Sequence, residues 1–187
     1  MQLIESKMFI TKRNGEVVSF DSNKIKVAIS KAIRATKNEI SEDKIDKIVL
    51  DIVEEIQNRF VDFYPNVENV QDIVEKHLVN SGLYEIAKAY IIYRAKRKEE
   101  REKQQEINIE KAKLGKLRVK KSDGRIALFN ISKVNDVIRD AVKGLEENIS
   151  VEKISKEVIK NIYDGVSVEE IEKALILASI SFIEKDP

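Results

Sequence analysis

Lys12, Arg13 and Lys24 are the residues of this chain whose types and spacing could do chemistry. Lys12 and Arg13 stand directly before Asn14-Gly15, which lies between two short β-prone runs. Asn-Gly in that setting is a strong hairpin signal, because a tight primed turn needs positive φ at both central positions. After the second run, Asp21 or Ser22 can cap an amphipathic helix that begins around Asn23. The order strand, turn, strand, helix gathers three cations near a helix N-terminus, where free backbone N–H groups already favour anions. That chemistry suits the holding of a polyphosphate. The other reading of the same cations is a solvated face beside a hairpin.

Composition narrows the classes. The 187 residues carry 34 Lys and Arg against 33 Asp and Glu, so the marked basic excess of a dedicated nucleic-acid binder is missing. The absence of cysteine excludes disulfides and cysteine-ligated zinc. The single histidine, His77, argues against a His-based metal site or a Ser/His relay. No nucleophile–base pair, glycine-rich P-loop or metal-ligand cluster stands out, and no catalytic residues are expected. No apolar run reaches the length of a membrane span, and no signal-peptide pattern is present. The expectation is a cytoplasmic protein with no membrane partner, mainly helical because Pro and Gly are few.

The elements that must position the cations follow in order. Residues 1–7 read as a lead-in and 8–13 as the first strand. Ile25, Ala28, Ile29, Ala32 and Ile33 recur at helical spacing. After a break at Lys37-Asn38, a second helix carries Ile45, Ile48, Val49, Ile52, Val53, Ile56 and Phe60 on one face. Tyr64-Pro65-Asn66 interrupts it, since the residue before proline avoids the helical region. Val67, Val70, Ile73, Val74 and Leu78 define a third helix, closed by Ser81-Gly82. A fourth, from about Leu83, is expected to turn Ile86, Ala87, Tyr90, Ile91 and Tyr93 inward. Its continuation through residues 95–113 is charged and reads as a solvated linker helix ending at Leu114-Gly115.

The pattern then repeats. Placing Gly15 on Gly124 also puts Lys12 on Lys121, Phe20 on Phe129, Asp21 on Asn130, Lys24 on Lys133 and Ile29 on Ile138. Further on, Val67-Glu68-Asn69-Val70 falls on Val168-Glu169-Glu170-Ile171, after a second helix shorter than its counterpart. Two copies of one hairpin-plus-helices module make an internal repeat. The expected domains are residues 8–97, a charged helical linker at 98–115, and a shorter second copy at 116–187 that lacks a fourth helix and reads as cut before it is finished.

The residues from Lys12-Arg13-Asn14-Gly15 to Lys24-Ile25, with 67–75 and 87–94, resemble the ATP-cone domain. The second copy, from about Leu117, is similar to the cone at the N-terminus of the ribonucleotide reductase large subunit. The resemblance implies a mainly α fold with small β (α+β), each module a β-hairpin lid over a small helical bundle. It further implies the N-terminal regulatory region of such a reductase, of the class I catalytic-subunit kind, as an allosteric overall-activity switch. The implied ligand is ATP or dATP with Mg²⁺. The implied partners are a C-terminal catalytic domain, other reductase subunits and a nucleotide-dependent homo-oligomer. Carried across, Lys12, Arg13 and Lys24 would contact phosphates, Asp21 would lie near the ribose or base, and Gln71 would line the pocket. Asn14 and Ile25 belong to the matched binding set, with Lys88 and Arg94 as further basic positions. Val18 stands where some members have glutamate. In the second copy Ser122 replaces Arg13, and Glu172 falls on Gln71, so that copy is expected to be degenerate and mainly structural. The alternatives are a nucleotide-dependent regulator of the reductase-repressor type, whose cysteine zinc ribbon is missing here, and a helical adaptor that binds no nucleotide.

Overall fold

The computed structural model of this protein describes residues 8–143 and 150–183. The expected lead-in and the last residues of the chain lie outside that description. Two compact units divide the chain, residues 1–98 and 99–187.

In the first unit, β1 (Phe9–Thr11) and β2 (Val17–Ser19) form an antiparallel hairpin in the register Ile10↔Val18. Four helices follow: α1 (Asn23–Thr36), α2 (Glu42–Arg59), α3 (Val67–Asn80) and α4 (Tyr84–Lys113). Each carries an apolar stripe into one core. Ile29, Ile52, Ile56 and Leu78 are wholly buried there, with Ile73 and Ile86 nearly so. Lys37 ends α1 in the left-handed conformation (φ 55°), and α3 opens on a reciprocal capping box between Asn66 and Asn69. Asp21, not Ser22, supplies the cap at α1: its Oδ1 accepts the Asn23 N–H at 3.0 Å.

Two expectations need correcting. The Asn14-Gly15 turn is not primed, because Asn14 keeps a negative φ and only Gly15 is positive (86°). Lys12 pairs with Glu16 and the Gly15 N–H donates to the Lys12 carbonyl at 2.9 Å, so the loop has three residues with glycine last. Such a loop asks for positive φ at one position only. On α4, Ile86, Ala87 and Tyr90 are buried, but Ile91 and Tyr93 are exposed. The stripe continues from Tyr90 to Arg94 at i+4, which leaves those two residues on its flanks.

The second unit repeats these devices. β3 (Arg118–Lys120) and β4 (Ile126–Leu128) form the hairpin, and β5 (Val166–Ser167) adds in parallel to β3. In the first unit the corresponding contact is a single parallel bridge, Thr11↔Asn66. Helices α5 (Ile131–Ala141), α6 (Val151–Asn161) and α7 (Val168–Ile183) complete it. The last turns of α4, read from sequence as a solvated linker, serve this second core. Ala112 is buried in it, and the buried Asn108 side chain donates to the Ile162 carbonyl at 3.2 Å. Ile109 packs against the same core, and charged composition hid the contribution, since one isoleucine, one small residue and one satisfied amide leave only a thin apolar stripe.

Candidate functional site

The hairpin of the first unit is anchored to α3 through its backbone. Thr11 N–H donates to the Pro65 carbonyl at 2.9 Å, at the turn leading into the Asn66 cap. This places the loop tip over the first turns of α3. Arg13 Nε donates to Glu68 Oε1 at 2.8 Å, and Arg13 Nη2 reaches Gln71 Oε1 at 3.4 Å. A turn further along, Arg94 of α4 donates to Asp72 Oδ1 at 2.6 Å and to Glu75 Oε1 at 2.8 Å. Glu68, Gln71, Asp72 and Glu75 therefore form one polar face of α3, at the i, i+3, i+4, i+7 spacing of a helical stripe. One arginine of the hairpin and one of α4 both bind to it.

The electrostatics follow from that arrangement. Burial works against the charge on Arg94, but the hydrogen bonds to Glu75 and Asp72 outweigh it and leave its pKa raised. Burial pushes the Tyr90 hydroxyl up to about 12, and that side chain feels the charges of Arg94, Glu75, Arg13 and Asp72. A neutral phenol thus sits among two guanidinium groups and their carboxylates. Within this cluster three carboxylates face two arginines.

The remaining residues expected at the site fall nearby or elsewhere on the unit. Lys12 Nζ donates to Glu16 Oε2 at 2.9 Å across the hairpin, and Asn14 Oδ1 accepts the Glu16 N–H. Asp21 is occupied as the α1 cap, and Ile25 is buried in the core. Lys24 lines a cavity of about 190 Å³ with Asn23, Val27, Lys31 and Tyr93. Lys88 is exposed on α4. Among the described residues, the Lys24 and Lys88 ammonium groups make no ion pair. The structure thus brings Arg13, Gln71 and, through α3, Arg94 together, and leaves Lys12, Lys24 and Lys88 outside that hydrogen-bonded group.

Sequence reasoning missed Glu68, Asp72, Glu75 and Tyr90. The polar stripe at helical spacing beside the apolar stripe of α3 was the signal for the three acids. Tyr90 was read as core, which it is, but its hydroxyl end belongs to the charged cluster. His77 lies apart from this group, bonded through Nε2 to Glu55 at 2.8 Å. Among the described residues no group of three or more His, Asp or Glu side chains gathers as a metal site. No described helix is long and apolar enough to cross a membrane.

At the equivalent place in the second unit, Ser122 Oγ donates to Glu169 Oε1 at 2.6 Å. Ser167 and Glu170 repeat the capping box, with bonds of 3.0 and 3.2 Å. Arg118 adds a bidentate pair to Asp164, whose carboxyl is held down to about 2 by that guanidinium. Glu172, at the position of Gln71, is exposed. The tip-to-helix contact is kept, but with a neutral donor.

A family model for the ATP cone domain matches residues 8–99 and 117–185. The ribonucleoside-diphosphate reductase subunit alpha of Chlamydia trachomatis is 31% identical over 156 residues, covering 79% of this chain and 14% of the relative. The same subunit of Chlamydia pneumoniae is 32% identical over 150 residues, 75% of this chain and 14% of the relative. The vitamin B12-dependent ribonucleoside-diphosphate reductase of Thermoplasma acidophilum is 35% identical over 108 residues, 54% of this chain and 13% of the relative. The chain therefore spans about a seventh of the length of these curated relatives.

Proposed function

This chain belongs to the ATP-cone family, and from that premise we propose that it is a nucleotide-sensing regulatory region of a ribonucleotide reductase. The ligand is ATP or dATP, held under the first hairpin. The observation that carries this reading is the docking of Arg13 onto α3 beside Gln71, with Arg94 a turn further along the same face. A hairpin that places a guanidinium over a helix N-terminus presents charge-assisted donors where a phosphate is already favoured. Lys24 and Lys88, without acidic partners among the described residues, add charge that a triphosphate can engage. Mg²⁺ enters on the phosphates, since α3 and its neighbours offer no grouped metal ligands.

Regulation then follows from differential affinity. A ligand shifts an equilibrium only if it binds two states unequally. ATP and dATP differ by one hydroxyl, so a contact at the ribose must distinguish them, with Asp21 the carboxylate nearest the start of α1 in sequence. The bound nucleotide sets the association of the chain with copies of itself and with a catalytic domain. The second unit, with Ser122 for Arg13 and Glu172 for Gln71, acts as a structural spacer.

The test is calorimetric titration of the full chain with Mg-ATP and with Mg-dATP, repeated on Arg13→Ala and Lys24→Ala. One nucleotide per chain, weakened in both variants, is expected. Nucleotide bound in both units would refute the assignment of the second unit, and no heat with either nucleotide would refute the function.

A further inference from the structure

Arg13 is not waiting free for a ligand. Its Nε is bound by Glu68 and its Nη2 lies on Gln71, so part of its donor fork is already occupied. Glu68 sits in the first turn of α3, where the helix dipole and free N–H groups favour a negative charge. The guanidinium that would attract a phosphate to this place is thus already engaged by a carboxylate in the first turn of the same helix. We propose that Glu68 is an internal competitor for the nucleotide phosphate, an autoinhibitory latch that holds the hairpin tip on α3 until a polyphosphate displaces it from Arg13. This rests on the reading of Arg13 as a phosphate-binding residue.

The second unit supplies independent support. There the cation at the hairpin tip is replaced by Ser122, yet the carboxylate remains as Glu169 and still takes the tip donor at 2.6 Å. An acid kept in contact with the tip when its donor is a hydroxyl has the role of closing the hairpin. Arg94 repeats the arrangement in the first unit, clamped by Asp72 and Glu75 rather than left open. Such a latch is weak enough to exchange. The Arg13 and Glu68 side chains are 37% and 48% exposed, and pairs so open to water are screened and easily replaced by a more highly charged anion.

Glu68→Gln keeps the length and an acceptor for Arg13 but removes the charge. The experiment titrates the full chain, Glu68→Gln, Arg13→Ala and the double variant with Mg-ATP and with inorganic tripolyphosphate. Glu54→Gln, an exposed acid of α2, controls for the change in net charge. Glu68→Gln is expected to bind both probes about two- to fivefold more tightly than the parent. The gain should vanish in the Arg13→Ala background, and Glu54→Gln should match the parent. Equal or weaker binding by Glu68→Gln, with Arg13→Ala still impaired, would overturn the latch and leave the nucleotide site standing. A gain that survives in the double variant would overturn it too, since the effect would not pass through Arg13. If neither protein binds, the latch and the nucleotide site fall together.

Discussion

Glu68 and Arg13 are 55 residues apart in the chain, and their side chains meet at 2.8 Å. The contact joins the tip of a β-hairpin to the first turn of α3, a place in the first unit where a cation meets a helix N-terminus. Ser122 and Glu169 make the matching contact in the second unit, so the hairpin is tied to its third helix in both copies while the charge of the donor differs. Closure and ligand charge are thereby separable features of one fold.

Arg13→Ala separates them. A charge-assisted hydrogen bond to phosphate contributes about 1.5–3 kcal/mol, so nucleotide affinity should fall at least tenfold. The lost surface pair with Glu68 is worth about 0.2–1 kcal/mol, so the denaturation midpoint should move little. Calorimetry and urea unfolding on the same variant check both halves.

Leu78→Ala tests the core beneath the site. Leu78 is wholly buried at the C-terminal end of α3, whose face carries the polar cluster. Removing it should destabilise the first unit by about 2–5 kcal/mol, read from chemical denaturation.

Gly124→Ala tests the hairpin geometry itself. Gly124 has φ +83° and nothing within 4 Å of where a Cβ would stand. The cost is therefore conformational, about 1–2 kcal/mol, and Gly124→Asn should lose less because asparagine tolerates the left-handed region. Thermal melts of the two variants should rank in that order.

Asp164 gives the second unit a pH dependence of known sign. The Arg118 hydrogen bonds hold its carboxyl at about 2 in the folded chain, below its ordinary 3.8. The folded state therefore binds the proton less readily than the unfolded one, so the contribution is complete above pH 3.8 and is lost as pH falls towards 2. Asp164→Asn should melt below the parent at neutral pH, and the gap should close through that acid window. A gap that stays constant would mean that Asp164 acts through packing and not through charge.

Much of this molecule was legible in residue order. The stripe of Ile25, Ile29, Ala32 and Ile33, the Pro65 break, the Gly82 stop and the match of Gly15 to Gly124 are local patterns, set by backbone geometry within a few residues. They foretold the helices, the hairpins and the internal repeat, and they located Arg13 and Lys24 on those elements. Less visible was anything that depends on what lies opposite. Ile91 and Tyr93 share helical spacing with buried neighbours, but a flank residue is covered only if another element reaches it. The last turns of α4 read as a charged linker because the core takes little from them beyond Asn108, Ile109 and Ala112.

The sequence by itself determined that cations cluster at a hairpin tip and at the start of a helix, twice in one chain. Only the tertiary structure decided which of them share a face, and that Glu68, Asp72 and Glu75 hold the arginines there. The physical reason is range. Helical period and turn chemistry act between neighbours in the chain, whereas the pairing of Arg13 with Glu68 depends on how a hairpin and a helix dock across 55 residues.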